Sequence, residues 1–258
     1  MVRESIAGCA PGHNACRALS ECPTTTMTPR SCMAVLARSM TAVMTILALQ
    51  AYAQVPPTAE ELAAYRGVFA AAARGDVATL RRAARPEIEA RDTHGRTPLI
   101  VAAYARQRDA MRALVAAGAN PNALENDRYD IVTIAAVAND PETLDVALSL
   151  GASAKNVTSR YDGTALIAAA HLGHEAIVRA LCRAGAPLDH VNNLGWTALI
   201  ESIVLGDGGP RHVATLRALV EAGANVNLPD RGGTSPLALA RGRGYREMVS
   251  ILERAGAR

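Results

Sequence analysis

The sequence predicts an all-α solenoid in which short helix pairs stack on one another and hairpin-like turns join successive units. A Gly-Ala pair recurs at steps of 33, 34, 38 and 33 residues. Its glycines are Gly118, Gly151, Gly185, Gly223 and Gly256. The start of an apolar helix returns once per step, and the residues at that start are Thr97, Asp130, Thr164, Thr197 and Ser235. Half of the 258 residues are hydrophobic but only 3% are aromatic, which suits close alanine-leucine packing better than one large core.

The clearest unit runs from Asp92 to Asn122 and shows why these residues build a helix pair. Thr97 can accept a hydrogen bond at the helix N-cap, and Pro98 at the first helical position loses no useful N–H. Gly118 is expected to end the second helix in the left-handed conformation that glycine adopts easily. One such unit cannot bury its own apolar face, so stacking must make the core continuous.

This pattern of T-P-L-I-V-A-A followed by G-A-N near a 33-residue period resembles the ankyrin-repeat family. The resemblance implies a scaffold whose members mostly bind other proteins through a concave groove made by turn tips and first helices. The family usually has His after T-P-L. In this chain that position is apolar in most units, and it holds Ile100, Thr133, Ile167, Ile200 and Ala238. The third unit, whose first helix starts at Asp130, is the most divergent.

Six units are predicted within an ankyrin-repeat domain at 54–258. Their ranges are 58–91, 92–124, 125–157, 158–191, 192–229 and 230–258. The first unit lacks the leading turn, and its helices are expected at Glu60–Ala73 and Asp76–Ala84. The fifth unit carries extra residues at Gly206–Pro210, which we interpret as a surface insertion, because no G-K-S/T follows that would indicate a nucleotide-binding loop.

The first 53 residues have a different character. Residues 1–32 are predicted to be disordered or an untranslated extension, and their four cysteines match no metal or disulfide spacing. Residues 33–53 are interpreted as a signal peptide with Arg38, the apolar run Met40–Leu49 and the cleavage site Ala51–Ala53. Cleavage would leave Gln54 first, in the periplasm or outside the cell, with no stable membrane insertion. The alternatives are an uncleaved anchor or a cytosolic interaction protein.

The charge balance argues against nucleic acid as a partner. The chain carries 27 basic and 24 acidic side chains, or +3. Residues 1–53 hold four arginines and two glutamates, which leaves about +1 for residues 54–258. A nucleic-acid-binding surface would need a marked basic excess.

No enzymatic motif is present, and neither a metal nor a cofactor is expected. His171, His174, Cys182 and His190 invite a metal or Cys-His interpretation, but Cys182 belongs to an apolar helix face. The ankyrin resemblance places His174 where the family often has a turn-capping His. A small-molecule, metal or enzymatic role around Gly206–Pro210 and His171/His174 is the alternative to protein binding.

The predicted function is non-enzymatic binding of a partner protein by a monomer. The residues predicted to line the groove are Arg96, Tyr129, Tyr161 and Trp196. Aromatic residues and Arg often dominate binding energies, and arginines at several tips favour an acidic partner surface. The same aromatic side chains could instead pack on the neighbouring repeat, so both interpretations remain open at this point.

Overall fold

The computed structural model describes residues 54–258, so the predicted extension at 1–32 and signal peptide at 33–53 lie outside the described residues. The described part contains fourteen helices and one short hairpin. They are α1 Ala59–Ala64, α2 Gly67–Arg74, α3 Val77–Leu80, α4 Arg85–Ile88, α5 Pro98–Tyr104, α6 Arg108–Ala116, α7 Ile131–Val137, α8 Pro141–Ser149, β1 Val157–Thr158, β2 Gly163–Thr164, α9 Ala165–Leu172, α10 Glu175–Arg183, α11 Ala198–Val204, α12 Pro210–Glu221, α13 Pro236–Gly242 and α14 Arg246–Arg254.

The helices form two rows, as the predicted solenoid requires. The inner row is α2, α5, α7, α9, α11 and α13, and each of these helices packs against the next one in the row. The outer row is α3, α6, α8, α10, α12 and α14, and each of these helices packs behind its own inner partner. The predicted ankyrin solenoid is therefore confirmed. Two elements were not predicted, namely α4 and the antiparallel β1–β2 hairpin, in which Val157 pairs with Thr164.

The predicted helix starts are N-caps. At each one the side-chain oxygen accepts a hydrogen bond from the backbone N–H three residues later, at 2.8–3.3 Å. The five capping residues are Thr97, Asp130, Thr164, Thr197 and Ser235. In the divergent unit Asp130 is the N-cap in place of Thr, because its carboxylate accepts the same backbone hydrogen bond.

The Gly-Ala pairs end the outer helices through a left-handed glycine. The φ angle is 103° at Gly118 and 94° at Gly223. The alanine that follows donates its N–H to a carbonyl five residues back, as Ala119 does to Leu114 at 2.9 Å and Ala224 to Leu219 at 3.1 Å. These bonds satisfy carbonyl groups at the helix end that have no partner within the helix. The predicted C-caps are confirmed.

Alanine explains how closely the inner helices approach. The paired alanines of the inner row are buried, and they include Ala102, Ala103, Ala135, Ala136, Ala169 and Ala170. Their buried neighbours from both rows belong to one hydrophobic cluster that extends from Val68 to Leu252. Small side chains let this core continue from repeat to repeat without large aromatic residues.

The first unit differs from the prediction. The single helix expected at Glu60–Ala73 is two helices, because the chain leaves α1 at Tyr65 and starts α2 at Gly67, whose φ is 54°. The hydroxyl of Tyr65 donates to the carboxylate of Asp92 at 2.6 Å, which holds this break against the second unit. The outer helix expected at Asp76–Ala84 is shorter, because α3 ends at Leu80.

Candidate interaction site

Four of the five turn tips are built around one polar side chain at the start of the tip. In the second unit, Asp92 Oδ1 accepts the backbone N–H groups of His94 and Arg96, both at 2.9 Å. In the fifth, Asn192 Oδ1 accepts those of Leu194 at 3.1 Å and Trp196 at 3.0 Å. These bonds set the position of the residue just before the helix cap.

Neighbouring tips are also joined to one another. The backbone N–H of Asn126 donates to His94 O, and that of Asn193 donates to Tyr161 O, both at 2.9 Å. The tips therefore form a continuous ridge along one edge of the array, and a partner that binds there meets preorganised backbone.

Arg96 does not present its side chain to a partner, and this corrects the prediction. The side chain is 1% exposed. Its Nε donates to Asp92 Oδ2 at 2.6 Å, its Nη2 to Glu61 Oε1 at 2.7 Å, and its Nη1 to the backbone oxygen of Val55 at 3.2 Å. A guanidinium enclosed in this way must keep its partners, because an unpaired buried charge is costly. Arg96 holds the chain ahead of α1 onto the second unit.

The acidic partners of Arg96 are stabilised in their charged forms. Burial by itself would raise the pKa of Asp92, but the hydrogen bonds from Tyr65 and Arg96 outweigh it and keep this pKa below its ordinary value. The hydrogen bond from the Thr58 backbone lowers the pKa of Glu61, and the Arg96 guanidinium adds to that effect. Glu61, Asp92 and Arg96 form one ionic network, to which the hydroxyl of Tyr65 is hydrogen-bonded.

Tyr129 is a core residue, which is a second correction. Only 3% of it is exposed, and burial raises the pKa of its hydroxyl to about 12. It belongs to the hydrophobic cluster that runs through the array. The sequence left open whether the tip aromatic residues contact a partner or pack on the neighbouring repeat. Tyr129 packs within the array.

Tyr161 and Trp196 are both half-buried, and they occupy different positions in their tips. Trp196 directly precedes its cap, as Arg96 and Tyr129 do. In the fourth unit Gly163 holds that position, because the tip has one more residue. Positive φ angles at Ser159 (64°) and Asp162 (51°) accommodate it. Tyr161 therefore corresponds to His94, whereas Arg96, Tyr129 and Trp196 share the position just before the cap.

Two of the tip arginines are paired with acidic side chains of the array. Arg128 pairs with Asp162 at 2.7 Å, and Arg160 pairs with Asp127 at 2.6 Å. The two pairs run in opposite directions between the third and fourth tips. An acidic partner surface was predicted from arginines at several tips. Two of those arginines have acidic partners within the array, and the chemistry of the partner surface stays a prediction.

The inner side of the second and third units contains a hollow that the sequence did not predict. We call it the inner groove, and its volume is about 350 Å³. It is lined by Gln54, Pro56, Ala103, Tyr104, Arg106, Ile134, Ala135, Val137, Ala138, Asp140 and Thr143. The sequence feature that could have indicated this groove is the equivalent placement of Tyr104 and Val137, which are the last residues of the inner helices α5 and α7.

The histidines singled out in the sequence bond to the protein itself. His174 Nδ1 lies 3.0 Å from the carbonyl oxygen of Ala136, and burial lowers the pKa of His174. His190 Nε2 lies 2.6 Å from the carbonyl oxygen of Asp162. The first contact ties the fourth unit to the third and the second lies within the fourth unit, so these histidines have a structural explanation.

The insertion Gly206–Pro210 is likewise held by its surroundings. His212 lies 2.8 Å from Asp207 Oδ1 through Nδ1 and 3.0 Å from the carbonyl oxygen of His171 through Nε2. The hydroxyl of Tyr245 donates to Gly206 O at 2.9 Å. Within residues 54–258 no group of three or more His, Cys, Asp or Glu side chains is arranged to hold a metal ion.

Cys182 is half-buried against the hydrophobic cluster, and burial raises the pKa of its thiol. A thiol in that environment is a poor nucleophile, because the thiolate is the reactive form. In the same described range, no helix combines the length and the hydropathy needed to cross a membrane.

The tips, helix pairs and left-handed caps define an ankyrin-repeat protein, and comparison with known proteins agrees. The family model for a single ankyrin repeat matches residues 94–126, and the model for three ankyrin repeats matches residues 132–230. The ankyrin repeat protein YahD of Escherichia coli is 34% identical over 190 residues, which is 72% of this chain and 94% of YahD. The chain belongs to the ankyrin-repeat family.

Solved structures support the same assignment. An ankyrin repeat domain from Acinetobacter baumannii is 42% identical, has a TM-score of 0.69, and matches 74% of this chain and 98% of that domain. The ankyrin repeat domain of Bcl-3, a member of the IκB family, is 28% identical with a TM-score of 0.67 and matches 75% and 87% of the two chains. Ankyrin repeats generally mediate protein–protein interaction and are typically non-enzymatic.

Proposed function

We propose that this chain is a non-enzymatic module that binds a partner protein on the ridge of turn tips, with Trp196 as the main contact residue and Tyr161 beside it. The observation that carries the proposal is the position of Trp196, the one tryptophan of the chain. It is half-buried, and so partly accessible, at a position set by Asn192, whereas the equivalent Arg96 and Tyr129 are buried. A rigidly placed, accessible tryptophan is a typical centre of an interface.

Binding is tested by crosslinking in cells that express the full chain with a C-terminal tag. We expect a specific protein to be enriched by the wild type and reduced at least tenfold with Trp196→Ala. Val191→Ala is the matched control, because Val191 is an exposed apolar residue (46% exposed) just before the same tip. Equal enrichment by the wild type and Trp196→Ala, with both folded, would remove Trp196 from the site.

We further propose that the chain is exported and that cleavage after Ala53 leaves Gln54 first. The support is the arrangement of Arg38, the apolar run Met40–Leu49 and the small residues Ala51 and Ala53. Peptide mass spectrometry of the protein recovered from the periplasm of a Gram-negative host should find an N-terminus at Gln54, as free glutamine or as the pyroglutamate that forms from it. Recovery of a chain that keeps residues 33–53 would favour an anchor or a cytosolic protein instead.

A further inference from the structure

Four residues ahead of α1, Gln54–Pro57, line or border the inner groove, and we call them the groove segment. They are not helical, and Gln54 and Pro56 form part of the wall of the groove. The backbone oxygen of Val55 accepts a hydrogen bond from Arg96 Nη1 at 3.2 Å. The segment is therefore held by its backbone, as a bound peptide would be.

The residues that follow fix the segment in place. Thr58 caps α1, and Glu61 from the same turn reaches Arg96 at 2.7 Å. Arg96 is in turn bonded to Asp92, which also accepts the hydroxyl of Tyr65. This network anchors α1 on the second unit and leaves the groove segment over the ends of α5 and α7.

The groove suits an extended segment that contains proline. Its wall combines the half-buried ring of Tyr104 with Ala103, Ile134 and Val137. Proline-rich segments dock on aromatic, apolar surfaces, because they are already extended and lose little conformational entropy on binding. Pro56 and Pro57 also bring no backbone N–H that would need a partner inside the groove.

The fit of the groove segment is incomplete at Gln54. Its side-chain Nε2 is buried without a hydrogen-bond partner in the described part of the chain. Burial of an unsatisfied amide donor opposes binding. A segment with an apolar residue at this position would bind the same groove more tightly.

We propose that the inner groove is a docking site for an extended, proline-containing peptide. In the free chain the groove segment Gln54–Pro57 is bound there. A partner protein displaces it with its own extended, proline-containing segment. The inference rests on the proposed protein-binding function and names the class of segment that the partner supplies.

The test measures binding of a fluorescent synthetic peptide, with the sequence of residues 54–60, to the full chain. Two receptors are compared, the wild type and a variant in which each residue of Gln54–Pro57 is replaced by glycine. The replaced side chains are exposed or half-buried, so the array should keep its fold. We expect at least tenfold tighter binding to the glycine variant, because glycine removes the side chains that contact the groove and makes the segment more flexible, so the segment competes less well with the peptide.

Substitutions at two exposed alanines test where the peptide binds. In the glycine variant, Ala138→Glu places a charge in the inner groove and should weaken binding at least tenfold. Ala116→Glu makes the same change on the outer helix α6 and should leave binding unchanged. A peptide with Met in place of Gln54 should bind at least threefold more tightly than the original peptide.

Equal affinity for the wild type and the glycine variant, or binding to neither, would overturn the inference. So would binding that Ala138→Glu does not reduce. Capture of a partner through Trp196 is measured separately, so it can succeed while this test fails. In that case the chain binds its partner at the tips and the inner groove has no part in it.

Discussion

At the scale of single residues, the repeat ends depend on glycines whose backbone is left-handed. Gly223 is the clearest case, because its φ is 94° and a side chain added there would meet no atom within 4 Å. Any cost of substitution at Gly223 therefore comes from the backbone conformation and not from crowding. Gly118 is less suited to a test, since an added Cβ would lie 3.1 Å from Arg85 Nε.

We predict that Gly223→Ala lowers the free energy of unfolding by about 1 kcal/mol, because an L-residue is strained in this conformation. Gly242→Ala is the control with the opposite sign. Gly242 is exposed in the last turn of α13 with no positive φ, so alanine should stabilise there by a few tenths to about 1 kcal/mol. Urea unfolding of both variants checks the pair, and a stable Gly223→Ala would contradict the cap.

At the scale of elements, α1 and the second turn tip are joined by the ionic network of Glu61, Asp92 and Arg96. The network explains why a residue predicted to meet a partner is buried. Its charges compensate one another through short hydrogen bonds, so each carboxylate is stabilised in its ionised form. The attachment of α1 should consequently depend on pH.

We predict that Asp92→Asn destabilises the chain near pH 6 and reduces its loss of stability in acid. The pKa of Asp92 is lower in the folded chain than its ordinary value of about 3.9. Its contribution is therefore complete above about pH 4 and is lost as the pH falls through the folded pKa.

Thermal unfolding of the Asp92→Asn variant and the wild type between pH 6 and pH 3 should show two curves that converge towards low pH. Asp145→Asn, at an exposed carboxylate on α8, is the control and should run parallel to the wild type. A constant difference between Asp92→Asn and the wild type would show that the charge of Asp92 is not the stabilising feature.

At the scale of the whole molecule, the array exposes little apolar surface on which a second copy could bind. Among residues 54–258 the exposed large hydrophobic side chains are Val55, Leu62 and Val191. The last repeat turns Arg241, Arg243 and other charged side chains to solvent. Stable dimers of one chain usually bury a large apolar interface, and scattered single residues do not supply one.

We therefore predict that the protein is a monomer in solution. Sedimentation equilibrium at micromolar to tens of micromolar concentration should give the mass of one chain at every loading. A mass that rises with concentration would show that the tips or the inner groove also bind a second copy. Val191→Ser and Leu62→Ser would then show whether these exposed side chains are responsible.

The sequence alone determined the repeat architecture, the helix caps, the left-handed glycines and the alanine-rich core. Thr97 and Gly118 could be interpreted from their immediate neighbours, because caps and turns are formed by residues a few positions apart. Only the tertiary structure decided which of the predicted contact residues are accessible to a partner. Arg96 is buried by Val55 and Glu61, 41 and 35 residues earlier. Such contacts depend on which distant segments meet, and local patterns carry no record of that.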